Sequence, residues 1–226
     1  MSGKHIFSRG AAQLHEMVKG EGIYLWSKDG TRYIDGSSGP ICVNIGHGVK
    51  EVTNAVWKQM EEVSYVHSSH FTTDSVKKCA DKLVSLTPAK LKYVFFSCGG
   101  SEATESAAKM ARQYYLQKGE PKRSKIIARW QSYHGNTLGA LSMSGNIARR
   151  KRYVPMLLDF PHIPPAYCYR CWFGKTCDSC DLDCARALDT QIKASSPEYI
   201  SAFIAEPVVG ATLGTVPAPP GYFQII

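Results

Sequence analysis

The sequence predicts an α/β protein built on a largely parallel sheet, and three observations carry that prediction. Short apolar runs at "KYVFFS" (92–97), "KIIARW" (125–130) and "AFIAEPV" (202–208) have the composition of buried strands. Segments with apolar residues at helical spacing alternate with them. The first run also hands over to a helix through Gly99, Gly100 and Ser101, as strands do in layered α/β proteins. With 226 residues the chain suffices for one large domain or two small ones.

The elements follow in order. "GIYLWSKDGTRYIDG" (22–36) holds two short apolar runs around Asp29-Gly30, a favoured hairpin turn because both positions tolerate positive φ. Glycines 46 and 48 in "NIGHG" (44–48) mark a loop whose shape matters, so His47 reads as structural. Val52, Val56, Met60 and Val63 then recur at helical spacing. A second helix starts near Thr73-Asp74, carries Val76, Cys79, Leu83 and Leu86, and is stopped by Pro88. The helix after Gly100 is expected to turn Ala103, Ala107, Met110, Ala111 and Tyr114 toward the sheet. Glu102, Glu105, Lys109 and Arg112 would face solvent, with Glu105 and Lys109 spaced for an ion pair.

Hydrophobic residues make up 44% of the chain and charged residues 20%, which is ordinary for a globular protein and excludes a disordered one. No apolar run has the length of a membrane span, and "MSGKHIFSRG" lacks the core of a secretory signal, so a cytoplasmic protein is expected. The net charge of +8 sits largely in "PKRSKIIAR" (121–129) and "ARRKRY" (148–153). Neither run carries interleaved aromatics or a nucleic-acid-binding motif, and a positive balance equally suits an anionic cofactor. No nucleic-acid partner is expected. At the other end, Pro219-Pro220-Gly221 leads into Tyr222, Phe223, Ile225 and Ile226, an apolar face expected to find little to pack on. The chain reads as the N-terminal part of something longer.

The Gly99-Gly100-Ser101 turn is where chemistry enters. The first turn of a helix leaves N–H groups without partners, and the macrodipole adds about half a positive charge there. Glycines let a backbone approach a ligand, and the Ser101 hydroxyl can donate, so the stretch suits a phosphate. It equally suits a plain helix cap. It is neither a dinucleotide fingerprint nor a P-loop.

"SCGGSEATES" (97–106) resembles the phosphate-binding turn of class III pyridoxal-phosphate (PLP) aminotransferases, the ω-aminotransferase group. "YLWSKDGTRYIDGSSG", "NIGHG", "WQSYHGNTLGALSMSG" (130–145) and "FIAEPVVG" resemble further segments of that family in the same order. The resemblance implies a three-layer α/β/α PLP-dependent transferase fold (fold type I, aspartate aminotransferase-like), incomplete at the C-terminus. It divides the chain into an N-terminal hairpin-plus-helix segment, 1–65, near a dimer interface, and an incomplete PLP-binding domain, 66–226. The implied reaction moves an amino group from an amine or amino acid to a 2-oxo acid such as pyruvate. Other fold-type-I chemistry (aminomutase, racemase or decarboxylase) and a non-catalytic or metal-binding module are the alternatives. A homodimer is implied for the full-length protein.

Carried over residue by residue, the resemblance implies that Gly100 and Ser101 hold the phosphate and that Tyr133 stacks on the pyridine ring; the alternative is a core tyrosine. His134 would tune or orient the cofactor, or be a packed, hydrogen-bonded histidine. Glu206, at a strand end, would act electrostatically near the cofactor, or pair with an arginine. Cys98 and Gly99 depart from the family's usual Asn-Ser, so backbone donors must carry more of the phosphate. The family's Schiff-base Lys and its pyridine-pairing Asp lie beyond the point matching Ile226, and no lysine follows Lys193. No catalytic residue is therefore assigned within this chain, and alone it is expected to be inactive.

Five of the eight cysteines fall within "YCYRCWFGKTCDSCDLDCARAL", inside a Cys-rich insertion at 166–185. The two C-x-x-C pairs, Cys168/Cys171 and Cys177/Cys180, raise a zinc site. The gap between them is shorter than most structural zinc loops, and "DLDCARALDTQI" reads as a helix. The reading carried forward is a loop of reduced thiols with no metal, zinc being the alternative.

Overall fold

A computed structural model describes residues 5–6 and 14–226. The expectation about a secretory leader at 1–10 therefore lies almost wholly outside the described residues. The chain divides into two compact units, one ending at Lys92 and one beginning at Tyr93.

In the first unit, strands β1 (Met17–Glu21), β2 (Tyr24–Ser27) and β3 (Arg32–Ile34) form an antiparallel meander in that order. The Asp29-Gly30 turn joins β2 to β3, but only Gly30 takes a positive φ, 86°. The Ser27 N–H instead donates to the Thr31 carbonyl and the Gly30 N–H to the Ser27 carbonyl. His47 is tied down as a structural residue: its Nε2 lies 2.9 Å from Asp35 Oδ2, and its backbone exchanges hydrogen bonds with Gly22. Helices α1 (Lys50–Glu62) and α2 (Asp74–Leu86) form where the apolar spacing places them. Thr73 caps α2 by accepting the Val76 N–H, and the helix ends two residues before Pro88. The apolar stripe of α1, Val52, Val56 and Met60, is exposed.

The second unit is built on a parallel three-stranded sheet with β4 (Lys125–Arg129) between β5 (His162–Ile163) and β6 (Ile200–Phe203). Alternate residues of β4 serve two cores. Ile126 and Ala128 pack with Met143 of helix α4 (Leu138–Met143) and Ala108 of helix α3 (Gly100–Gln117). Ile127 packs on the other side with Ile163, Ile200 and Leu188 of helix α5 (Asp183–Ala194). The layers are thus helix, sheet, helix. Burying an isoleucine such as Ile127, which is fully enclosed, stabilises the fold by roughly 1.5–3 kcal/mol. A small antiparallel pair, β7 (Val208–Val209) and β8 (Val216–Pro217), follows, and helix α6 (Tyr222–Ile225) ends the described chain.

Three expectations are corrected here. Residues 92–97 form no strand: no ladder partner accepts or donates to their backbone among the described residues, and Tyr93 is 94% exposed. Apolar composition permits a strand, but only a neighbouring strand makes one. Helix α3 is rotated from the expected face. Ser101, Thr104, Glu105, Ser106, Ala108, Ala111, Arg112 and Tyr115 are its half-buried residues; of the five expected there only Ala111 is among them, whereas Ala103, Ala107, Met110 and Tyr114 are exposed. Glu105 and Arg112 take that face because each meets hydrogen-bond partners from the neighbouring segments there. Arg112 donates to the Pro121 and Arg123 carbonyls, and Glu105 accepts from the α4 segment instead of pairing with Lys109. Finally, two of the four terminal residues do find packing, while Phe223 and Ile225 stay exposed. Tyr222 is fully buried against Ala166, Cys184 and Ala185, and Ile226 reaches the same core.

Candidate functional site

Helix α3 begins at Gly100 with Gly99 as its N-cap, and no side chain caps it. The Cys98 N–H donates to Glu102 Oε2 at 3.0 Å, and Ala103 is the first residue bonded back along the helix, to the Gly99 carbonyl. The N–H groups of Gly100, Ser101 and Glu102 meet no acceptor among the described residues. A methyl group built on Gly99 or Gly100 would touch nothing within 4 Å. This is an open helix start with free donors and a dipole favouring negative charge.

The second component is the loop from Trp130 to Thr137, which leaves the end of β4 and enters α4. It is stitched to α3 at two points. Asn136 and Ser101 exchange hydrogen bonds: the Asn136 N–H donates to Ser101 Oγ at 3.1 Å, and that hydroxyl donates to Asn136 Oδ1 at 3.2 Å. One turn later, Glu105 Oε1 accepts from Thr137 Oγ1 at 2.5 Å and from the Ala140 N–H at 3.1 Å. Gly135 between these points has φ 135°, and a Cβ there would stand 2.5 Å from Ser101 Oγ. Only glycine allows that approach.

The third component is Glu206, three residues past the end of β6. Its carboxylate accepts the Tyr133 N–H at 3.0 Å and the Gly210 N–H at 3.3 Å. Arg129, the last residue of β4 and 1% exposed, donates through Nη2 to the Glu206 carbonyl. The arginine pairing considered for Glu206 is thus made by its backbone, while its carboxylate holds Tyr133. The Arg149 guanidinium lies over the Tyr133 ring, 4.7 Å from its centroid. Arg150 donates to the Leu141, Ser142 and Ser144 carbonyls, so the basic run at 148–153 contributes two of its cations to local structure.

His134 sits behind the loop. Its N–H donates to Ser144 Oγ at 2.8 Å, and its buried Nε2 has no partner among the described residues. Burial pushes its pKa down to about 4, with Arg129 and His162 adding repulsion. The ring is therefore neutral near pH 7, held by packing and not by a side-chain hydrogen bond.

Of the five residues singled out by sequence, Ser101, next to Gly100, is bonded to Asn136 of the loop, and Tyr133 of the same loop is bonded to Glu206. His134 lies between them in sequence with one buried nitrogen unspent. Sequence reasoning missed Asn136, Glu105 and Arg129. Arg129 carried a signal, a charge at the end of an otherwise apolar strand; the other two read as ordinary surface residues.

The family model for class III aminotransferases matches residues 6–226. The uncharacterized aminotransferase YodT of Bacillus subtilis is 39% identical over 204 residues, covering 90% of this chain and 46% of that protein. The putrescine–pyruvate aminotransferase of Pseudomonas aeruginosa is 33% identical over 209 residues, covering 90% of this chain and 44% of that protein. Among solved structures, an (S)-enantioselective omega-transaminase from Thermomicrobium roseum superposes with a TM-score of 0.87 at 37% identity, over 94% of this chain and 47% of that one. The chain spans about half the length of the relatives it matches. It belongs to the class III aminotransferase family.

Proposed function

We propose that this chain holds the phosphate and one ring face of PLP, and that the protein transfers an amino group from an amine or amino acid to a 2-oxo acid such as pyruvate. The observation that carries the reading is the start of α3, where free N–H groups and open space around Gly99 and Gly100 stand beside the Tyr133–Asn136 loop, held there by the hydrogen bonds between Ser101 Oγ and Asn136. The residues present fit the cofactor in kind: backbone donors for a phosphate, an aromatic side chain, and a buried imidazole nitrogen with nothing yet to meet.

Bound PLP supplies an electron sink for a substrate amine carbon. The chain's own contribution is placement. The Gly100 and Ser101 N–H groups would hold the phosphate, while the Ser101 hydroxyl, engaged with Asn136, fixes the distance between helix start and loop. Tyr133 would lie against the ring, its backbone pinned by Glu206 and one of its faces taken by Arg149. Glu206 would place a negative charge behind that contact. Neutral His134 would accept or donate one hydrogen bond at Nε2 without adding a charge.

The putrescine–pyruvate relative supports an amine donor and pyruvate as acceptor. Among the described residues no helix is long and apolar enough to cross a membrane. We place the protein in the reducing cytosol as a homodimer, a reading supported by the exposed apolar stripe of α1. The test, made on the full-length protein, is PLP-dependent formation of alanine from pyruvate against a panel of amine donors, followed by mass spectrometry. Alanine formation that requires both PLP and a donor is the expected result. Tight PLP binding with no amino transfer from any donor would overturn the reaction and leave the site standing.

A further inference from the structure

Each C-x-x-C pair of the Cys-rich segment folds as one tight turn. Cys168–Arg170 and Cys177–Ser179 are 3₁₀ turns, and the second cysteine of each pair, Cys171 or Cys180, closes its turn. Thr176 and Ser179 lock the second turn: the Thr176 N–H donates to Ser179 Oγ at 3.1 Å, and the two hydroxyls lie 3.0 Å apart. Cys184 enters from the first turn of α5 and is buried against Ala166 and Tyr222. All five thiols line one cavity of about 340 Å³. No Lys, Arg or His lines the cavity, and Lys175 is drawn away to Asp183 at 2.8 Å.

From this convergence we propose that the cavity is a binding site for one soft divalent cation, Zn²⁺ foremost, ligated by Cys168, Cys171, Cys177 and Cys180 with Cys184 behind them. The chemistry favours it because thiolates select soft cations and a four-sulfur tetrahedron suits Zn²⁺. Each ligating cysteine gives its proton to solvent and its sulfur lone pair to the metal, with no change of oxidation state. Among the described residues no three thiols yet surround a common point at ligand distance. Cys168 and Cys177 are exposed on single-turn elements, and the proposal requires their side chains to turn inward when the metal binds. Cys42, Cys79 and Cys98 are not among the residues that line the cavity and serve as controls.

The test is titration of the reduced, metal-free protein with Co²⁺, read by sulfur-to-cobalt charge-transfer absorption and the visible bands of a tetrahedral ion. The expected result is one Co²⁺ per chain, displaced by Zn²⁺. The Cys171→Ser and Cys180→Ser variants should lose affinity by more than about a hundredfold, beyond what loss of a supporting group costs. Far-UV circular dichroism verifies that they fold, and the combined Cys42→Ser, Cys79→Ser, Cys98→Ser variant should bind as the parent does. Absence of the charge-transfer band, its survival in Cys171→Ser and Cys180→Ser, or a Cys168–Cys177 disulfide in place of metal binding would each overturn the proposal. None of these outcomes depends on PLP.

Discussion

Replacing Gly135 by alanine should be among the most damaging small changes in the second unit. Its φ of 135° lies where side-chain-bearing residues are strained, at a cost of roughly 1–3 kcal/mol. The new methyl group would stand 2.5 Å from Ser101 Oγ, 2.8 Å from Ala140 Cβ and 3.0 Å from Ser101 Cα. Backbone and a packed methyl cannot yield as a flexible side-chain tip would, so overpacking adds roughly 1–3 kcal/mol. Displacing Ser101 also breaks its exchange with Asn136, a further loss of about 1 kcal/mol. The Gly135→Ala variant should therefore lose at least about 3 kcal/mol in urea unfolding, at an unchanged denaturant slope. A loss below about 0.5 kcal/mol, the range of an inert surface change, would refute the claim that loop and helix start are one packed assembly.

His134 supplies a pH dependence whose sign is fixed. Its folded pKa of about 4 lies below the ordinary value near 6.5, so the unfolded chain binds the proton more readily. Its share of stability, on the order of 3 kcal/mol, is present above pH 6.5 and lost as pH falls toward 4; His134→Gln should flatten that part of an acid unfolding profile. His162, also lowered by burial, steepens the same limb. Arg129→Met should change stability by less than about 2 kcal/mol, because the buried guanidinium has two nitrogens without acceptors and an apolar replacement removes that penalty. Urea melts measure it, and a larger loss would mean that the guanidinium is satisfied by groups outside the described residues.

What could be read from the sequence were the features that follow local rules. The β4 strand, the α3 start and α5 were legible because apolar runs, glycines and helical spacing are encoded within a few residues. The failures needed partners distant in sequence. Residues 92–97 have strand composition, yet a strand exists only where another supplies its ladder. The buried face of α3 was misread because Glu105 and Arg112 look like solvent residues until the α4 segment and the Pro121 carbonyl are brought to them. Gly100 and Ser101 were legible as a glycine-rich helix start, whereas Tyr133, His134 and Glu206 were named from a resemblance. Their ties to one another through Asn136, Arg129 and Ser144 are tertiary and left no local mark.

The central claim is that the start of α3 cradles a phosphate. The direct measurement compares the binding of PLP and of phosphate-free pyridoxal to the parent and to Gly100→Ala, by equilibrium dialysis beside urea melts. Alanine at a helical position gains about 0.5–1 kcal/mol over glycine, and nothing within 4 Å obstructs the added methyl. The Gly100→Ala variant should be at least as stable as the parent and bind PLP more weakly while its pyridoxal affinity is unchanged. Equal affinity of the two proteins for PLP, or an equal loss for both ligands, would contradict it.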